Sequence, residues 1–162
     1  MSVADYHLKI DGIEGESQDS KHANEIEVLS FSWGANQTGT FSSGSGGGAG
    51  KVQMHDFTFN KRIDKSSPKL VLACANGEHI GKAVLTCRKA GTEQQEFLKI
   101  TFSDVLVSSY RTGGAGSNDP IPLDEISLNY SKIEFDYKTQ DAKGNLGGSV
   151  MAGWDVKKNQ KI

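Results

Sequence analysis

Hydrophobic and polar residues alternate with period two along most of this 162-residue chain. Tyr6, Leu8 and Ile10 alternate with Asp5, His7 and Lys9; Ala83, Leu85 and Cys87 alternate with Lys82, Thr86 and Arg88. Ile133, Phe135 and Tyr137 are separated by Glu134 and Asp136, and Val150, Ala152, Trp154 and Val156 form a last series. Successive strand side chains point to opposite faces, so each series predicts a strand with one buried face. Gln95 to Phe102 and Val105 to Tyr110 complete about eight or nine strands.

Three longer runs change phase. Ile26 and Val28 give way to Leu29, Phe31 and Trp33; Val52 and Met54 to Phe57 and Phe59; Ile126, Leu128 and Tyr130 to Ile133. A slip of one residue exchanges the two faces of a strand. Each break therefore predicts a bulge, a bend or a passage from one buried surface to another, as where strands turn the corner of a barrel or tight sandwich. One helix interrupts this all-β pattern at about 66–76. Ser66-Ser67-Pro68 offers a cap and a first-turn proline, Leu70, Val71 and Cys74 a face to lay on the sheet, and Asn76-Gly77 a left-handed close. The aromatics Trp33, Phe57, Phe59, Phe97, Phe102, Phe135, Tyr137 and Trp154 fall on strands, at spacings that place them in a single core.

Two glycine-rich stretches stand apart. Thr38 to Gly50 holds six Gly and three Ser, no charge, and only Phe41 as an apolar anchor; Thr112 to Ser117 is a shorter one. So long a structureless segment in one domain is expected to work at an interface or to move.

Composition narrows the function. Charge is nearly balanced, with 18 basic and 20 acidic residues, so the basic surplus that phosphate neutralisation needs is missing and no nucleic-acid partner is expected. No apolar signal segment opens the chain, and the longest uncharged run, Val28 to Gly50, is too polar to insert in a membrane. Cys74 and Cys87 read as reduced core residues of a cytosolic protein.

Candidate chemistry is thin. Ser45 to Val52 approaches a phosphate loop but ends in Val and leads into a strand where that motif needs a helix N-terminus. Cys74, His79 and Cys87 match no zinc spacing, and His7, His22 and His55 sit singly. The carboxylate pairs Glu25/Glu27 and Glu134/Asp136 read as solvated edges, and no G-x-S-x-G elbow occurs. These residues predict no enzyme, no cofactor and no metal.

Several segments together resemble one family. They are Gly15-Glu16-Ser17 with Lys21-His22, Glu25-Ile26-Glu27-Val28-Leu29-Ser30-Phe31-Ser32-Trp33-Gly34, Gly48-Ala49-Gly50-Lys51-Val52 and Ile63-Asp64-Lys65-Ser66-Ser67-Pro68-Lys69-Leu70. Cys74, Gly77, Arg88-Lys89-Ala90-Gly91, Val105-Leu106-Val107-Ser108-Ser109, Thr112-Gly113-Gly114 and Gly153-Trp154 complete the series. In order and spacing they resemble the haemolysin-coregulated protein (Hcp) family of bacterial type VI secretion, over essentially the whole chain.

The resemblance implies a single domain over 1–162, a tight β-barrel or sandwich of two antiparallel sheets with one flanking helix. It implies a homohexameric ring, and rings stacked into a tube that a contractile sheath expels with the spike from a baseplate. Small effector proteins ride in the lumen. The protein is then cytoplasmic before firing and secreted afterwards without a signal peptide. By the same resemblance the loop 36–50 is an arm to neighbouring subunits or rings, with Gly39, Phe41, Gly44, Gly46, Gly47 and Gly48 as contacts. Lys89, Ala90 and Gly91 at one ring face and Lys157 at the other are contacts, and Thr112, Gly113, Gly114, Ala115, Gly116 and Ser117 a lumen loop that meets cargo. Some relatives carry a toxin domain after the barrel; ending at Ile162, this chain is expected to carry none. The contrasting expectation is a monomeric β-barrel that binds a small ligand or oligonucleotide on its aromatics.

Overall fold

A computed structural model describes residues 4–39, 49–89, 95–116 and 120–162. In chain order they form β1 (Ala4–Ile10), β2 (Ile26–Val28), β3 (Ser30–Ser32), β4 (Ala35–Gly39), β5 (Ala49–Met54), β6 (Phe57–Arg62), α1 (Ser66–Asn76), β7 (Ile80–Lys89), β8 (Glu96–Gly113), β9 (Leu123–Asn129), β10 (Lys132–Gln140), β11 (Leu146–Asp155) and β12 (Gln160–Lys161).

Every phase break in the sequence is a change of sheet. β2 pairs with β1, and one residue later β3 pairs with β6, so Leu29 is where the chain crosses. Residues 55–56 separate β5, paired among the described residues only with β4, from β6, and residues 130–131 separate β9 from β10. The two segments expected at 95–102 and 105–110 are instead one 18-residue strand. The first half of β8 pairs with β7 and β10, the second half with β9. Its bend is at Asp104, which takes a left-handed φ of 52° and accepts a hydrogen bond from Ser131 Oγ at 2.8 Å. An aspartate tolerates that conformation better than most residues.

All strand pairs are antiparallel. One run of strands is ordered β12-β11-β10-β8-β7-β1-β2, and β3-β6-β9 joins it through β8. The sheets fold over one core without closing into a barrel, so the fold is a sandwich. Leu8, Phe57, Phe59, Leu85, Phe102, Ile126 and Leu128 fill it, with Phe57 and Phe102 rings 4.7 Å apart. The aromatic expectation holds in part: Trp33, Phe97, Phe135 and Trp154 are half-buried around this core, and Tyr137 is exposed.

Helix α1 has the expected bounds and closes at Gly77, φ 66°. Its start differs from the expected serine cap. The Asp64 carboxylate accepts from the Ser66 N–H at 2.9 Å, and Ser67 Oγ accepts from the Asp64 N–H at 3.0 Å. The buried face is Ser66, Ser67, Leu70 and Ala73, while Val71, expected to pack, is exposed beside Leu72.

Candidate functional site

An unprotected strand edge is the most unusual surface of the molecule. β11 pairs with β10 along its length, but on its other side only Trp154 and Asp155 meet β12. From Leu146 to Ala152 that edge has no strand partner among the described residues, and Gly147 to Ala152 are exposed on both faces. Leu146 to Gly153 carries no charge and no proline. Val150 is 61% and Met151 67% exposed, with Tyr137 of β10 opposite Val150. Unpaired backbone groups in a flat, uncharged edge are a template for another strand, and soluble proteins normally block them with lysine, proline or a bulge. The period-two series at 150–156 predicted one buried face here. Both faces are open because the β10–β11 ribbon runs past the core.

A second open element lies near it. β4 and β5 form a two-stranded sheet of their own, and Val52 and Met54 with Trp154 and Asn159 line a cavity of 430 Å³. The segment expected as a loop from 36 to 50 therefore begins and ends as strand: Gln37 pairs with Val52, and Gly39 with Ala49. Gly39 has open space around its Cα, so nothing in this subunit requires a glycine there. Phe41, Gly44, Gly46, Gly47, Gly48, Ala90, Gly91 and Ser117 lie outside the described residues.

The proposed ring-face residues sit at the two ends of the β10–β11 ribbon. Lys89 Nζ reaches the Gly144 carbonyl at the hairpin tip, 3.4 Å away. Lys157 lies beyond the other end, after Asp155, which pairs with Lys132. Strand rise puts those ends about 25–30 Å apart. Thr112 and Gly113 end β8 opposite Asp124 and Leu123, and Gly114, Ala115 and Gly116 continue exposed beyond it. Thr112 and Gly113 line a cleft of 280 Å³ with Asn60, Arg111, Leu123 and Glu125.

Ionisable groups gather in two buried clusters. Lys61 is fully buried, and its ammonium donates to Asp64 Oδ1 at 2.9 Å, Ser67 Oγ at 2.8 Å and Asp124 Oδ2 at 2.9 Å. Burial alone would raise the Asp124 carboxyl, but hydrogen bonds from Ser67 and Lys61 outweigh it and hold it below the usual carboxylate range. The network ties α1 to β6 and β9. In the second cluster Arg88, 1% exposed, donates to both oxygens of Asp19 at 3.0 and 2.6 Å and lies 3.4 Å from Asp5. The Arg88 hydrogen bonds hold the Asp19 carboxyl well below its ordinary value. His7 and His22, expected singly, are brought together there. Burial raises the Cys87 thiol to about 11, keeping it protonated. Among the described residues no group of three or more His, Cys, Asp or Glu is placed to hold a metal.

Known proteins match this arrangement along its whole length. The model of the family described as the type VI secretion system effector Hcp matches residues 7–137. Protein hcp1 of Pseudomonas aeruginosa is 48% identical over 159 residues, 97% of this chain and 98% of that protein. The crystal structure of Hcp1 from Salmonella typhimurium, 39% identical, superposes with a TM-score of 0.84 over 99% of this chain and all of that one. A further solved type six secretion system protein, 34% identical, gives 0.92 over 98% and 99% of the two chains.

Proposed function

Because the chain belongs to the Hcp family of type VI secretion proteins, we propose that six copies close into a ring, that rings stack into the expelled inner tube, and that small effector proteins travel in its lumen. It is a structural component of the secretion system, and its work is association rather than catalysis. The spike, sheath and baseplate are its partners, and it leaves the cytoplasm with the tube.

The observation that carries this reading is the open, uncharged edge of β11 next to the separate β4–β5 sheet. One edge and one unlike ribbon on the same subunit make a head-to-tail contact, and such contacts close into a ring when the rotation allows. Main-chain hydrogen bonding between strands needs no charge and gives a regular register. The exposed Val150 and Met151 would be covered on assembly. A net charge of −2 limits repulsion between stacked rings. The Gly114–Gly116 loop and the adjacent exposed Leu123 offer the lumen a small, adaptable surface for cargo.

Analytical ultracentrifugation at micromolar concentration and low salt tests it. The expected species has six times the 17.5 kDa subunit mass. A monomer alone would overturn the ring and favour a solitary binding domain.

A further inference from the structure

Two histidines far apart in sequence are stacked in the fold. His7 of β1 and His22 of the 17–25 loop lie face to face, ring centroids 4.7 Å apart and planes 8° from parallel, and both are buried. His22 Nδ1 is 2.9 Å from Glu25 Oε2 and Nε2 is 2.7 Å from Glu96 Oε1. Ionised carboxylates only accept, so a ring bonded through both nitrogens donates through both and is positively charged. His7 lacks such support: its Nδ1 is buried without a hydrogen-bond partner. A neutral ring suits that position, whereas a second positive charge beside the first does not.

What the cluster holds is the base of the β7–β8 hairpin. There the Lys89 N–H donates to the Gln95 carbonyl at 2.9 Å, and Arg88 stands opposite Glu96. The 17–25 loop grips both legs at that point, Arg88 through Asp19 and Glu96 through His22. At this base lies Lys89, proposed as a ring-face contact.

We propose that the His7–His22 stack is an acid-sensitive latch: while His7 is neutral the 17–25 loop stays clamped on both legs of the hairpin, and a proton on His7 frees the loop and weakens the contact between rings. The second half rests on the proposed placement of Lys89 at a ring face.

The groups around His7 decide the sign. His22, Asp19 and Glu25 face it from the loop, Arg88 from β7, Asp5 from its own strand, Glu27 across the register on β2, and Glu96 with Lys99 from β8 beyond His22. Asp19 and Asp5 are engaged by Arg88, and Glu25 and Glu96 by His22. Burial first, then His22 and Arg88, hold the His7 imidazole below its ordinary value. The opened form therefore takes the proton first. The latch is fully closed above about pH 6.5, the ordinary histidine value, and is lost as pH falls below it. His7 borders a cleft of 650 Å³ with Asp5, Asp19, Arg62 and Arg88, which gives protons access from solvent.

Hydrogen exchange of the assembled protein, read by mass spectrometry on peptides covering 15–25 and 86–98, tests the latch between pH 7.5 and 5.5. Sedimentation of the same samples reads ring association. In the wild type, opening corrected for intrinsic exchange rises toward a limit of about tenfold per pH unit below 6.5, as one-proton linkage requires, and stacking weakens with it. His7→Phe keeps an aromatic ring on His22 and cannot take a proton, so its opening stays flat. The same acid response in both proteins overturns the latch. His7→Gln, which also cannot titrate in this range, carries the same expectation should His7→Phe not fold. Acid opening in the wild type with unchanged ring association overturns the coupling to ring contact and leaves the hexamer intact.

Discussion

Lys61 is the centre of one of the two buried ionic clusters. Its ammonium is paired with Asp124, itself fully buried, and shared with Ser67 and Asp64. Removing one partner of a buried pair strands the other charge, at a cost of about 3–5 kcal/mol, whereas an apolar replacement of both is often neutral. Lys61→Met is expected to lose about that much stability in urea titration, and Lys61→Met with Asp124→Leu to regain most of it. An equal loss in both proteins would contradict the account. The depressed Asp19 and Asp124 carboxyls add a pH dependence. Folded values below the ordinary 3.8 mean that the unfolded chain takes the protons first. Their stabilisation is full above pH 3.8 and is lost as pH falls below it. Urea midpoints measured down to pH 3 should fall in the wild type, and fall less in Asp19→Asn.

At the scale of elements, one strand, β8, does two jobs by belonging to both sheets. β8 belongs to both halves through its bend at Asp104, and β2 and β3 divide at Leu29. The β4–β5 ribbon is different. It pairs only with itself among the described residues, and the segment between its strands, rich in Gly and Ser, offers little apolar area to bury. Ordering such a segment against a partner costs about 1–2 kcal/mol per residue, so the arm contacts proposed for it would be modest singly and would gain strength from repetition round a ring. Deleting residues 44–48 is expected to leave the thermal midpoint of the subunit within about 2 °C, because Gly44-Ser45-Gly46-Gly47-Gly48 carries almost no apolar side chain to bury. Ring stacking in sedimentation and tube formation in micrographs should fail. Unfolding of the domain would contradict the assignment of this segment as an arm.

For the whole molecule, the surface that matters is the one left open. An edge strand from Leu146 to Gly153 without a charge is a liability in a solitary protein and an asset in a ring subunit. Val150→Lys places a charge in that edge while touching no core residue. Association should weaken at least tenfold, about 1.4 kcal/mol, with the far-ultraviolet spectrum and the urea midpoint of the subunit unchanged. Intact hexamers at unchanged concentration would move the interface elsewhere on the molecule.

Local rules made much of this fold readable from the chain alone. Period-two alternation located β1, β7 and β10, each phase break marked a change of sheet, and Pro68 with Gly77 bounded α1, because each depends on residues a few positions apart. The family was readable too, since its short motifs recur in order along the chain. Tertiary structure decided the rest, where the cause lies far away in sequence. Only the neighbours of residue 104 show that two predicted strands are one bent strand. The alternation of Val150 and Ala152 is the same in a buried or an exposed strand; the missing neighbour beside β11 makes it an edge. His7 and His22 became a pair because antiparallel packing brought β1 beside the 17–25 loop, and Glu96, 74 residues from His22, completed it. Alternation is a property of the chain; exposure and charge pairing are properties of what the fold sets beside it.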